Sequence, residues 1–490
     1  MVAGKKDFDA VVVGSGPNGL SAAITLQQQG LSVLLVEGKE TIGGGLRTQE
    51  LTLPGFLHDV CSAIHPLAAG SPFFKQLPLR QFGLEYIHPP IPAAHPFDDG
   101  QAATLYSSVI ETAKGLLEDE QAYLHLLQPF INGWPGLSID LLGPLQLPRH
   151  PLLLGQFGTR ALTPATYLAN RFKSTHARGL WGGMAAHALQ PLTNMATSAI
   201  AMVLLISAHS NGWPMARGGS QSIASALASY FLSLGGRIET NFYVRSLGQL
   251  PASRAVLLDV TPRQLLQIAG HSLSSFYQWQ LKHYRYGMGV FKLDWALAEP
   301  IPFLAGDCHQ AGTVHLGNSL EEIVATEQLT ARGGHPEKPF VLLAQPTLFD
   351  HSRAPAGKHI AWSYCHVPNG STMDMTSRIE DQVERFAPGF KDRILARHVM
   401  NAVDMQEYNP NYVGGDINGG VIDIRQLFTR PALRWSPYKT SAKGIYLCSS
   451  STPPGGGVHG MCGYYAAKKA LKEIFGLPAQ PLANGVVPQP

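Results

Sequence analysis

The sequence predicts an α/β fold in which a parallel-sheet domain, assembled from three separated stretches of chain, carries an α+β domain inserted in two pieces. Three observations predict it. An apolar strand near residue 10 runs straight into a glycine turn and a helix. A helical pattern opens at Gly218-Gly219-Ser220, stops at Gly235-Gly236, and is followed by two apolar strands. A last strand, Gly444 to Cys448, leads into Pro453-Pro454-Gly455-Gly456-Gly457 and a further helix. The boundaries drawn from these signals give one domain from residues 1–65, 215–270 and 436–476, with inserts at 66–214 and 271–435 and a tail at 477–490.

In the first piece, a strand pattern begins by Asp9, the glycine turn follows at Gly14, and a second strand runs from Ser32 to Val36. The first insert reads as mostly helical, with a Pro/Leu/Gly-rich loop from Gly133 to Pro164. The strands of the second domain piece are Arg237 to Val244 and Ala255 to Val260, the latter ending in Thr261-Pro262. The second insert alternates like strands at Gly289–Trp295 and carries a helix near Ser377–Phe386. In the third piece the helix is expected around Tyr465 to Phe475, and the Pro-rich tail beyond Gly476 is expected to fray.

A chain of 490 residues is long enough for two or three domains. Hydrophobic residues make up 45% of it and charged ones only 14%, which leaves apolar material for a large core and a greasy cavity. The formal charge of +3, without a basic run interleaved with aromatics, argues against nucleic acid as a partner. Five cysteines without CxxC spacing indicate neither a disulfide framework nor a metal site, and fit a reducing, cytoplasmic setting. The N-terminus, Met-Val-Ala-Gly-Lys-Lys, has no apolar leader. The strongest apolar run, Met195–Ile206, is too short to span a bilayer.

Val11-Val12-Val13-Gly14-Ser15-Gly16-Pro17-Asn18-Gly19-Leu20 is a GxGxxG turn between strand and helix. Gly14 permits the tight turn, Gly16 lets backbone approach a pyrophosphate, and Gly19 lets helix and strand pack closely. The helix end offers free N–H groups and a positive dipole to phosphates. Glu37 caps the second strand eighteen residues beyond Gly19, where an adenosine ribose would present its hydroxyls. The next cluster, Gly43-Gly44-Gly45-Leu46-Arg47, is unnecessary in a simple NAD domain and points to the longer FAD, with Arg47 set to neutralise phosphate. Gly455–Val458 before the last helix would offer amides to the electron-accepting edge of a flavin.

Together these motifs, with Gly218–Val244 and Leu258-Asp259-Val260-Thr261-Pro262, resemble the phytoene desaturase-related branch of the FAD-dependent amine oxidase and desaturase superfamily. The resemblance spans nearly the whole chain and implies a Rossmann-like FAD-binding domain of the GR2 type with an inserted substrate domain. It implies that Gly14, Ser15, Gly16, Pro17, Asn18, Gly19, Glu37 and Gly38 bind the ADP half. Gly44, Gly45, Leu46 and Arg47 would lie along the pyrophosphate, and Val244 would meet adenine through its backbone. Gly456, Gly457, Val458 and Met461 would line the flavin end. Two departures stand out. Cys448-Ser449-Ser450-Ser451 occupies a place where relatives often carry an acid, and no lysine is identified beside flavin N5, Lys292 being a candidate only by default.

The expected chemistry is desaturation or isomerisation of a hydrophobic, isoprenoid-like or fatty substrate by hydride transfer to flavin. For such a substrate the protein supplies orientation and a dry pocket. His459 is the acid/base candidate, since histidine titrates near neutrality, although a histidine bonded to backbone is the commoner case. Tyr412 and Asp416, in the turn-rich stretch Asn409–Gly420, are candidates to lie over the ring, against a well-packed connecting loop. Cys462 reads as redox active or simply as a small buried residue. Leu141–Leu147 with Leu152–Leu154 reads either as a peripheral membrane contact or as pocket lining and core. An NAD(P)H-using flavin reductase and a non-catalytic FAD scaffold are the competing readings, and the oligomeric state is unread.

Overall fold

A computed structural model describes residues 7–482. Met1–Lys6 and residues 483–490 of the expected tail lie outside the described residues. Five short strands form one parallel sheet, in the spatial order Ile445–Leu447, Ala255–Leu258, Ala10–Val13, Val33–Val36, Arg237–Glu239. Val13 pairs with both Leu258 and Val36, so the central strand, its two partners and the glycine turn are in register at the carboxyl ends of the strands. Ala10–Val13 and Val33–Val36 are buried throughout, as runs of Val and Leu in a sheet covered on both faces must be.

Three helices cover one face: Pro17–Gln27, Gln221–Ser233 and Met461–Ala470. The first and last cross in direct contact because Gly463 has no side chain; a Cβ there would sit 1.8 Å from the Asn18 carbonyl oxygen. The other face is covered by Pro262–Ala269 and Ser275–Lys282.

The second sheet has seven strands, in the order Ile394–Met400, Gly289–Leu297, His359–Val367, Val341–Ala344, Ala311–Leu316, Ile91–Pro96, Ala102–Leu105. The last two strands come from the insert expected to be mostly helical. They join the sheet through a parallel pairing of Ile91–Pro96 with Ala311–Leu316, so both inserts build one domain. Along Gly289–Leu297, alternation sends Phe291, Leu293, Trp295 and Leu297 into one core. Lys292 and Asp294 point to the other face.

Helices between residues 109 and 211 pack over that other face and form the largest core. Thr197–Asn211 buries Ala201, Met202, Leu205 and Ile206 there, which explains its nearly uniform apolarity. Among the described residues no helix is long and apolar enough to cross a membrane.

Two expectations need correction. Residues 133–164 are not one loop: Trp134–Leu141 and Pro151–Ala161 are helices, each begun by a proline in its first turn and anchored by Trp134, Leu137 and Phe157. Within this stretch Leu142 is buried, whereas Leu145, Leu147 and Leu152 are exposed. Residues 477–482 are held rather than frayed, because Leu482 is buried and the Tyr464 hydroxyl donates to the Gln480 carbonyl at 2.7 Å.

Candidate functional site

One continuous cavity of about 820 Å³ runs along the ends of the parallel strands and on into the space between the helices and the second sheet. The first half is a dinucleotide cleft. Gly14 turns with φ of +97°, and its N–H donates to the Val36 carbonyl at 2.8 Å. Gly19 does not line the cavity; a Cβ on it would lie 1.9 Å from the Gly14 oxygen, so its role is helix–strand contact. Gly44 brings the second glycine turn against the first, its missing Cβ falling 3.1 Å from the Gly16 Cα. Ser15, Gly16, Pro17, Asn18, Gly38, Gly45, Leu46, Val244, Gly456, Gly457 and Val458 all line the same cavity. Met461 is instead buried in the core beneath it.

Glu37 is buried and held from four sides. It accepts from the Ser15 N–H and hydroxyl, from the Lys39 N–H at 2.9 Å, and from Arg47 Nη2 at 3.1 Å. Arg47 also donates to the carbonyls of Thr41 and Gly44. Arg47 lines the cavity as well, and its guanidinium knits the second glycine turn to Glu37.

Asp259, at the end of the strand Ala255–Leu258, also faces the cleft. Its Oδ2 accepts from the Gly19 N–H at 2.9 Å and stands 2.9 Å from where a Gly16 Cβ would be. Burial pushes this carboxyl up to about 7, against the pull of the Gly19 amide, and Glu37 adds to the rise. Asn411 straps the cleft from the inserted domain: its Nδ2 donates to the Asp259 carbonyl and its Oδ1 accepts from the Thr261 N–H.

The second half of the cavity is a chamber. Ile64, Pro66, Leu67, Leu189, Ile200, Val203, Leu204, Trp213, Leu342, Trp362, Tyr364 and Ile417 give it an apolar, aromatic wall. Tyr412 stands between the two halves, packed over Gly45, with its phenol pushed well up by burial. Beside it lies Cys61, whose thiol is also raised by burial.

His187 lines the chamber as well. Its Nε2 lies 3.0 Å from His315 Nε2, and burial pulls the imidazole down to about 3. The sequence carried no signal for His187, Trp213, Trp362 or Tyr364 beyond core-face periodicity, because distant segments bring them together.

Two of the three catalytic candidates, His459 and Asp416, are turned to other work. His459 does not line the cavity. Its Nδ1 accepts from the Met461 N–H, its carbonyl accepts from the Ser71 hydroxyl, and burial lowers its imidazole to about 4. Asp416 accepts from the N–H groups of Gly287, Asn418 and Gly420, pinning the loop that carries it. Cys462 points to the carbonyls of Thr452 and Gly455, and its thiol is pushed up to about 12 by burial. Lys292 is ion-paired to Asp294 under Trp362, outside the cavity lining.

The cleft fits FAD. Glycine turns from the first and third pieces converge on one groove, a helix N-terminus opens onto it, and a carboxylate ends the second strand. The groove then leads past a second glycine turn to the third.

Comparison with known proteins agrees with this architecture. Residues 12–77 match the family model for an NAD(P)-binding Rossmann-like domain. The chain is 25% identical to the mouse pyridine nucleotide-disulfide oxidoreductase domain-containing protein 2, over 96% of this chain and 94% of that one. It is 23% identical to a limonene dehydrogenase chain from Castellaniella defragrans, over 96% and 95% respectively. Among solved structures, a putrescine oxidase variant superposes with a TM-score of 0.62 at 16% identity, covering 96% of this chain and 99% of that chain. The fold is thus one that the chain shares with flavin amine oxidases, a Rossmann-like domain bearing a mixed α/β substrate domain.

Proposed function

We propose that the protein is an FAD-dependent oxidoreductase that dehydrogenates or isomerises a hydrophobic, isoprenoid-class substrate. The observation that carries this reading is the continuity of the cavity: a groove fitted to a dinucleotide opens without a break into an apolar, aromatic chamber. The limonene dehydrogenase relative, matched end to end, supports an alkene-bearing substrate.

When bound, FAD supplies a hydride acceptor at the chamber's edge. The chain's own residues do the rest. Glu37 lines the cavity and has the position to accept from a ribose hydroxyl in place of the Ser15 hydroxyl, and Gly456–Val458 offer backbone to the flavin end. Trp213, Trp362 and Tyr364 orient the substrate and exclude water. Burial keeps the His187 imidazole neutral and makes it a poor proton acceptor, so His187, set by His315, serves as a polar contact that orients the substrate in the chamber.

The test is anaerobic mixing of the holoprotein with limonene and with geranylgeraniol while flavin absorbance is followed. Bleaching by either with a desaturated product, or a shifted alkene formed without net bleaching, is the expected result. Bleaching by NADPH alone, with neither isoprenoid consumed, would replace this reading with a reductase.

A further inference from the structure

One stretch of surface is set apart by its charge, and its exposed residues Phe276, Trp279, Leu433 and Trp435 do not line the cavity. No acidic residue occurs between Asp259 and Asp294, nor between Asp423 and Glu473. The fold sets these two acid-free stretches side by side. Gln280 accepts from the Leu433 N–H at 2.7 Å, Ser441 accepts from the Ser274 N–H at 2.8 Å, and the Arg434 guanidinium lies 4.9 Å from the Tyr277 ring centre. The bordering Asp423 is already neutralised by Arg285 at 2.7 Å.

Large apolar side chains stand out of this basic surface. In the helix Ser275–Lys282, Tyr277 and Leu281 face the core, which turns Phe276 and Trp279 outward. Their rings are stacked, with centres 5.9 Å apart and planes 12° apart. Leu433 and Trp435 protrude from the neighbouring segment, Trp435 being fully exposed. Lys282 ends the same helix, and Arg434 lies between Leu433 and Trp435 in the chain.

We propose that this face is a docking surface for an anionic phospholipid bilayer. Charge complementarity selects the occupant, since aromatic and leucine tips carried on two stretches that hold cations and no acids match the headgroup boundary of a negatively charged leaflet. The tips would enter the acyl boundary while Lys282 and Arg434 meet phosphates. This face differs from the exposed leucines at 145–152, where the sequence alone directs attention.

The experiment is co-sedimentation of the holoprotein with vesicles of phosphatidylcholine alone and of phosphatidylcholine mixed with phosphatidylglycerol. Binding to the mixed vesicles should be about tenfold tighter than to neutral ones and should weaken as salt is added. Trp279→Ser/Trp435→Ser should lower binding about tenfold while melting temperature and flavin spectrum stay unchanged. Lys282→Gln/Arg434→Gln should remove the preference for anionic lipid, and Leu145→Ser/Leu147→Ser should bind like the parent. A brominated lipid should quench tryptophan fluorescence of the unaltered protein, a check that needs no variant to fold. The proposal is overturned by equal binding to both vesicles, by parent-like binding of the tryptophan variant, by a loss confined to the Leu145/Leu147 variant, or by absent quenching. Tighter capture by a single-stranded oligonucleotide than by either vesicle would overturn it too.

Discussion

The dinucleotide cleft and the chamber occupy one cavity but are built by opposite means. The cleft is made of backbone: glycine turns and amides whose spacing along the chain is fixed by how a strand must turn into a helix. The chamber is made of side chains, drawn from residues 61–67, 187–213 and 313–364 and from Ile417. A cofactor common to many proteins needs a site that seldom changes, whereas a substrate needs one that can change freely. Backbone geometry and loose side-chain composition answer those two demands.

Substitutions in the two halves should therefore fail differently. The largest effect is expected from Gly19→Ala, which drives a methyl group into the Gly14 oxygen. The variant should be purified colourless, with the flavin absorbance band lost and the melting temperature lowered. In the chamber, His187→Phe should keep a full complement of flavin and lower turnover of an isoprenoid substrate about tenfold, through lost orientation. Loss of flavin from that variant would erase the distinction between the halves.

A subtler contrast concerns pH within the cleft. Asp259 faces Glu37 and the thiols of Cys448 and Cys462, with no cation against it in those contacts. An incoming pyrophosphate disfavours the ionised carboxyl further. FAD should bind most tightly below pH 7, where Asp259 keeps its proton, and weaken above it by up to about tenfold per pH unit. Titration of the apoprotein with FAD should show this slope, and Asp259→Asn should hold the tight affinity to about pH 8.5. The smallest effect belongs to His459→Ala, which leaves the Met461 N–H without its partner at a cost of about 1 kcal/mol. Its flavin spectrum and turnover should both match the parent, as fits a residue turned away from the cavity.

The same contrast explains what could be read from the amino-acid order. The strand–turn–helix at Ala10–Gln27, Glu37 and the late glycine run were legible because each is a local signal tied to one backbone geometry. Arg47 was found, but its use on Glu37 and on the Thr41 and Gly44 carbonyls was not, since hydrogen-bond partners leave no periodic trace. His459 drew attention by its place in a glycine run, yet a rotation about one peptide decides whether such a side chain faces ligand or core. Strands Ile91–Pro96 and Ala102–Leu105 were missed for another reason. They complete a sheet whose other members lie some two hundred residues downstream, and no window on the sequence spans that distance.

The strand order of the parallel sheet also bears on how the protein is made. Ala255–Leu258 stays an open sheet edge until Ile445–Leu447 has left the ribosome, and Gly456–Val458 emerges later still. During synthesis the nascent chain thus carries an unpaired, wholly apolar ribbon through nearly two hundred further residues, the condition under which chains stick to one another. Cofactor loading is deferred to the same moment, so a chaperone that shields that ribbon would set the yield of active protein.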